Sequence, residues 1–393
     1  MSHKSVCHIT FSEFPNDPRV RRYVSELLTK GYKVIVICIV DEYNKLSEEK
    51  ENLKIIRLNV TKKRAGYIKR VYEYLMFFVK SFYYSTKVYF TDKVRIYQLH
   101  TFPDFIVFSA LIPKLLGARI ILDMHELTPE TMMERESFNY DHLLIKSLML
   151  IEQLSVRFAS EVITIHDVAA SLLHSRNKKK FTVIMNGVDN KELRLTTKYS
   201  DGYFNIIYHG TINSNLNLTL VLDALEIIKT RTVDEAGKIR FLLYGKGPDT
   251  ERILSKAEVL NLKSSVIYHG VMSYENMLRE LGKASALVFP PLKNVFTDIC
   301  YSVKITEVIN LQIPIIASRL KTLSYYYPEE CFFYFDPGNA QMLAEKILEV
   351  MNNPQIVKQK TEAALRKYKS YSWDVMKQRY MKLINELGVY EKV

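Results

Sequence analysis

Short apolar runs alternate with amphipathic stretches along almost the whole chain. V-C-H-I-T-F, K-V-I-V-I-C-I-V, L-K-I-I-R-L, V-R-I-Y-Q-L-H, R-I-I-L-D-M, E-V-I-T-I and T-V-I-M fill the first half. F-N-I-I-Y-H-G, I-R-F-L-L-Y-G, S-V-I-Y-H-G, A-L-V-F-P and I-P-I-I-A-S fill the second. Strands that are apolar on both faces and separated by helices predict parallel sheets covered on both sides. Two such series predict an α/β protein with two doubly wound, Rossmann-like domains, residues 1–190 and 191–372. The boundary is placed near Asn186 to Asp201, where N-G-V-D-N-K-E-L-R-L-T-T-K-Y-S-D-G is polar and turn-forming. Ligands of open α/β sheets bind outside the carboxyl ends of the strands, so two such domains facing one another would enclose a cleft.

Three stretches stand out. Asp17 and Pro18 read as N-cap and first residue of a helix whose apolar stripe is Val20, Tyr23, Val24, Leu27 and Leu28, ended by Gly31. Arg19 and Arg22 share another face of it, near the positive end of the helix dipole. An anionic ligand, or an ion pair with Glu13 or Glu26, would relieve that placement. Tyr67 to Phe90 is rich in aromatics and lysines, and it suits either a membrane interface or burial between layers. Phe296 to Ser318 reads as a loop, a helix start, a turn and a buried strand. Lys304 and Glu307 lie three apart there, on one helical face near an N-terminus that suits a phosphate. A carboxylate one turn further in can accept two hydrogen bonds from a sugar diol.

Composition narrows the reading. The 393 residues, 48% apolar and 25% charged, fit a folded protein of two domains. No apolar run approaches the roughly 20 residues that span a bilayer, and the N-terminus lacks the apolar core of a signal peptide. Cys7, Cys38, Cys300 and Cys331 are scattered, without metal spacing, as expected of thiols in a reducing compartment. The expectation is a cytoplasmic protein, with a peripheral position on the inner face of the cell membrane as the variant. A net charge of +12 suits anionic lipid or phosphorylated small molecules, or a merely solvated basic surface. No zinc-finger spacing, RNP-type strand or basic arm points to nucleic acid.

Four motifs occur in a telling order: N-D-P-R-V-R-R after the first strand, D-M-H-E-L-T-P-E at Asp123 to Glu130, Y-G-K-G-P at Tyr244 to Pro248, and Phe296 to Ser318. Together they resemble the retaining glycosyltransferases of family 4, which have the GT-B fold. The resemblance runs over nearly the whole chain. It extends to S-Y-S-W-D-V-M-K-Q-R-Y-M-K-L, similar to the last helix of that family (here 373–393), which crosses back to the N-terminal domain. It implies that the N-terminal domain binds an acceptor and the C-terminal domain a nucleotide-sugar donor. Glu307 would grip the ribose, and Lys304 with the backbone of Ile299, Cys300, Tyr301 and Ser302 would meet the diphosphate or the sugar. Gly210, Thr211, Gly245, Lys246 and Gly247 would line the donor, although the two glycines of Y-G-K-G-P equally suit a simple turn. His125 would lie beside the transferred sugar or be a satisfied core histidine. His100 and Asp104 match a second loop on the acceptor side, with Arg19, Arg22 and Glu126. Glu126 would bond a sugar hydroxyl or cap the next helix.

The implied chemistry is glycosyl transfer with retention, in cell-surface polysaccharide or glycoconjugate synthesis, to a glycan or lipid-linked acceptor. No metal or other cofactor is expected. The sequence departs from the family twice. The loop T-I-N-S-N-L-N-L after Gly210 carries no base, with Asn215, Leu216 or Asn217 at the usual position, so Lys246 or Lys293 would have to substitute. The E-x7-E pair is also incomplete: Ile299 stands eight before Glu307, and Asp298 is the neighbouring candidate for the sugar hydroxyls. These losses keep two other readings open, an inactive GT-B protein that stabilises a partner transferase and a nucleotide-sugar epimerase.

Overall fold

The computed structural model describes residues 5–40, 47–60, 66–188 and 201–389. The chain divides into two compact units, 1–186 with 374–393, and 187–373. Most of the turn-forming boundary segment, residues 189–200, lies outside the described residues.

The first unit is built on β1 (Ser5–Glu13), β2 (Lys33–Ile39), β3 (Ser47–Lys50), β4 (Leu53–Leu58), β5 (Ile96–His100), β6 (Arg119–Met124), β7 (Glu161–Thr164) and β8 (Thr182–Val183). Their order across the sheet is β3-β4-β2-β1-β5-β6-β7-β8. All neighbours pair in parallel except β3, which runs antiparallel to β4 at the edge. That strand departs from the all-parallel expectation. Its sequence, S-E-E-K, is charged and mostly exposed, which keeps a sheet edge from pairing with other chains and leaves no apolar signal to read. The central strands β1, β2, β5 and β6 are buried almost throughout, as crossover helices on both faces require.

The first helix is Pro18–Thr29. Asp17 caps it by accepting from the Arg19 N–H at 3.0 Å, and Val20, Tyr23, Val24 and Leu27 are its buried face. The final helix, Trp373–Val389, starts at the boundary between units and belongs to the first from Asp374 onward. Tyr380 anchors it there, its ring 4.4 Å from that of Tyr23 and its hydroxyl donating to Gln98 on β5 at 2.7 Å.

The second unit holds β9 (Phe204–His209), β10 (Ile239–Tyr244), β11 (Val266–Gly270), β12 (Ala286–Phe289), β13 (Ile315–Ser318) and β14 (Phe333–Phe335). The order is β11-β10-β9-β12-β13-β14, parallel throughout. The order reverses at β9, and the loops after β9 and β12 therefore lie beside a topological switch point, where such sheets bind ligands. Its core joins Ile206, Tyr208, Phe241, Leu243, Val288 and Ile316 to the inward faces of the flanking helices.

Candidate functional site

In the second unit, β9 carries Tyr208 into the core and ends at His209. The chain then turns at Gly210, whose φ of 121° is open to glycine and strained for other residues. The Tyr208 hydroxyl donates to the Thr211 carbonyl at 2.7 Å and accepts from Lys304 Nζ at 3.1 Å. The ammonium also lies 4.2 Å from the centre of the Tyr208 ring, a cation–π distance. A Cβ on Gly210 would stand 2.8 Å from that ammonium, so the missing side chain is what gives Lys304 its place. Burial lowers the Lys304 ammonium to about 8, against the pull of the Glu307 charge.

Lys304 and Glu307 both sit on the helix Val303–Asn310. Ser302 is its N-cap but makes no side-chain cap bond. A lysine in the first turn is opposed by the helix dipole, so this end of the helix concentrates positive potential that an anion would relieve. Glu307 is buried, accepts from the Tyr274 hydroxyl at 3.0 Å, and lies 3.5 Å from His209 Nε2. Burial, followed by the Lys304 charge, lowers His209 to about 3, so its imidazole is neutral at pH 7.

Several expected donor residues have other work. A Cβ on Gly245 would fall 1.9 Å from the Gly210 carbonyl oxygen, and one on Gly247 would fall 1.9 Å from that of Ile212. These glycines therefore admit the neighbouring loop rather than a ligand. The contact is fixed by Gly210 N–H to Tyr244 O at 3.0 Å and Ile212 N–H to Lys246 O at 3.2 Å. The Ile299 and Cys300 N–H groups donate to Phe296 O and Thr297 O, each at 3.2 Å, so they are not the expected phosphate donors. The Asp298 carboxylate accepts from the Lys321 N–H at 2.8 Å, at the start of the helix Lys321–Tyr326, so one of its oxygens is occupied within the fold. Tyr301 shares a hydroxyl bond of 2.8 Å with Tyr327. Thr211 and Lys246 are exposed.

The loop that lacks a base is ordered by its asparagines. Asn213 accepts from the Leu216 N–H at 3.3 Å, Asn215 Oδ1 lies 3.5 Å from Asn294 Nδ2, and Asn217 takes a left-handed φ of 45°. Asparagine tolerates that conformation better than lysine or arginine does. Lys293 lies 3.9 Å from Asp298.

In the first unit, the carboxyl ends of β5 and β6 hold a buried chain of imidazoles. His8 Nδ1 lies 3.0 Å from His100 Nε2, and His100 Nδ1 lies 2.9 Å from His125 Nε2. Asp123 is 3.2 Å from His100 Nδ1 and 3.5 Å from His125 Nδ1, and it accepts from Gln98 at 2.7 Å. Burial, followed by the charge of Arg19, lowers His125 to about 3. Burial raises Asp123, but the two histidines and the Gln98 bond outweigh it and hold the carboxyl well below the usual range. His125 is therefore a neutral buried histidine, with Nε2 hydrogen-bonded to His100 and Nδ1 3.5 Å from Asp123, inside the unit. His100, Asp123 and His125 offer ligand atoms within 4.8 Å of one another, a spacing compatible with a metal ion. Within that group, His100 and His125 share a hydrogen bond, and Asp123 stands at ion-pair distance from both.

Arg19 is placed 3.7 Å from Asp17, the cap of its own helix, and not on Glu13 or Glu26. Burial raises the Asp17 carboxyl, but the Arg19 charge and the bond from the Arg19 N–H outweigh it and hold it below the usual carboxylate range. Arg22 is half-buried on the same helix. Asp104 is buried and accepts from Thr128 Oγ1 at 3.0 Å, while its Oδ2 meets no hydrogen-bond partner. Burial first, and Glu152 second, raise it to about 7. Glu126 is exposed and does not cap the following helix, Thr128–Glu136, whose N-cap is Leu127. That helix is clamped by a buried group, with Arg176 bonded to Glu130 at 2.7 Å and to Glu152 at 2.5 Å.

Residues 203–353 match the family model described as glycosyl transferases group 1. Among solved structures, a sucrose-phosphate synthase from Thermosynechococcus elongatus is similar over 99% of this chain and 100% of its own, at TM-score 0.76 and 16% identity. A glycosyltransferase from Rickettsia africae is similar over 100% of both chains, at TM-score 0.72 and 14% identity. Anabaena HepE in complex with UDP is similar over 97% of this chain and 100% of its own, at TM-score 0.71 and 12% identity. This chain has the GT-B fold. No curated protein matches it.

The residues that sequence reasoning overlooked are Tyr208, His209 and Tyr274 in the second unit, and His8, Asp123 and Gln98 in the first. One signal was present. The tripeptide Y-H-G stands at the end of the buried strand β9, and polar residues closing a buried strand in a doubly wound sheet mark the ligand side.

Proposed function

We propose that this protein is a retaining glycosyltransferase that moves a sugar from a nucleotide-sugar to a glycan or lipid-linked acceptor. The observation that carries the reading is the pairing of Lys304 and Glu307 on one helix beside Gly210, at the switch point of the second sheet. Glu307 takes the ribose hydroxyls and Lys304, with the N-terminus of its helix, takes the diphosphate. The region matching the glycosyl transferases group 1 model covers both residues, and HepE of the same fold is a UDP complex. Lys304 also supplies a charge beside the loop that lacks one, which favours an enzyme over an inert partner protein.

In the reaction, the bond between the anomeric carbon and the leaving phosphate oxygen breaks. The acceptor oxygen bonds to the same face of that carbon, and its proton passes to the leaving phosphate. Lys304 stabilises the charge that develops on the diphosphate. No step calls for a metal.

A panel of nucleotide-sugars should include one that raises the melting temperature, because a ligand that binds only the folded state stabilises it. Calorimetry with that donor should show binding by the wild type and none by Glu307→Ala. Unchanged affinity in the variant would sink the assignment. Donor alone, incubated with protein, should yield hydrolysis and no epimer.

A further inference from the structure

The helix Tyr67–Thr91 packs beside the segment 104–115 through Ser85 Oγ to Ser109 O, at 2.6 Å, and Tyr89 to Leu116 O, at 2.6 Å. That segment packs in turn beside the helix Leu143–Phe158, where the rings of Phe108 and Phe158 meet edge to face at 5.1 Å. The three elements form one layer. The long helix buries Phe77, Ser81, Ser85 and Val88 on its inner side. Its outer side is not the polar one that a helix facing water carries. Val71, Tyr72, Leu75, Val79, Tyr83 and Phe90 are between 45% and 63% exposed. At about 100° per residue they fall within an arc of roughly 120°, in a row about 28 Å long.

The same wheel places Lys69, Lys80 and Lys87 together along one edge of that arc, with Glu73 the one acid among them. Two elements across in the same layer, Leu143, Leu150 and Leu154 form a second exposed apolar row, with Lys146 and Arg157 beside it. Exposed apolar residues scattered singly mean little, but two rows on neighbouring elements, each with basic residues beside it, are a surface that water does not explain. We propose that this layer docks the first unit on an anionic lipid bilayer. The straight rows put tyrosine and phenylalanine at headgroup depth, and the lysine edge faces the lipid charge. No described helix is long and apolar enough to cross a membrane, so the contact is a lateral one. This inference stands on the surface of the first unit and does not rest on the donor reading.

The test is flotation of the full chain with phosphatidylcholine vesicles, with and without phosphatidylglycerol. Wild type should partition at least about tenfold better onto the anionic vesicles, and salt should weaken it. Val79→Glu with Tyr83→Glu should lose that partition with an unchanged melting temperature. Leu150→Glu, on a different helix, is the second variant should the first misfold. Lys80→Glu with Lys87→Glu should lose the preference for anionic lipid. Equal partition onto both vesicles, or full partition by both apolar-row variants, overturns the proposal. So does a wild-type dimer that ignores vesicles and is broken by Val79→Glu and Tyr83→Glu, since a second copy would then be the occupant.

Discussion

The two strand-end clusters use their polar groups in opposite ways. In the first unit, His8, His100, His125, Asp123 and Gln98 lie within 3.5 Å of one another in a chain and are buried, and Arg176 is paired with both Glu130 and Glu152. In the second, Lys304 rests on a phenol and Glu307 on another, although an ammonium and a carboxylate share one helix. The first arrangement turns most of its polar groups toward one another, with His8 Nε2 left over. The second sets an ammonium and a carboxylate one turn apart on a helix at a strand end, each bonded to a phenol. A buried polar network turned in on itself shapes a fold, whereas perturbed charges held at a strand end are where chemistry is to be sought.

The sharpest break of that contrast is on the sealed side. Arg176→Met strips the guanidinium from two buried carboxylates and should cost about 3–5 kcal/mol of folding stability, measured by denaturant unfolding. A loss near zero would show that Glu130 and Glu152 do not depend on it. On the open side, Lys304→Met should leave stability little changed but reduce sugar transfer by roughly a hundredfold or more, since it removes the charge opposite the leaving diphosphate. Steady-state transfer with the donor found by thermal shift is the measurement. Equal activity would move the diphosphate site elsewhere.

A smaller effect belongs to the glycines. Gly247→Ala puts a methyl where the Ile212 carbonyl stands, and should cost about 1–3 kcal/mol as the loop is pushed off. Because the loop after β9 also carries Gly210, donor affinity should fall with it. A variant as stable as wild type would show that the loop can yield. This residue also marks how far the sequence could be read. Both sheets, the first helix with its Asp17 cap, and the helix bearing Lys304 and Glu307 follow from hydrophobic period and capping chemistry, which are local. What Gly245 and Gly247 face, what Asp298 caps and where the His125 nitrogens point are set by contacts between segments far apart in the chain. A motif records that a residue type is needed, but not whether backbone, ligand or neighbour needs it. Strand β3 was illegible for a different reason, because an edge strand made of charge carries no apolar alternation.

The smallest effect is a dependence on pH. Asp104 is buried, repelled by Glu152 and Glu126, attracted by Arg176 and bonded to Thr128, and burial takes it from its ordinary 3.8 up to about 7. The folded state therefore keeps this proton up to about pH 7, while the unfolded chain has released it near pH 4. Between those values the folded state binds more protons, so stability falls as pH rises and levels off above 7. From pH 6 to 8 the loss due to this group should be about 1.4 kcal/mol. His8 and His125, lowered by burial, act the other way below pH 6.5, where the unfolded chain takes up protons that they refuse. Subtracting the unfolding curves of Asp104→Asn from those of the wild type cancels the histidines, which both proteins share. The difference should narrow as pH falls from 8 to 6, and a difference that is flat across that window would place the Asp104 proton outside it.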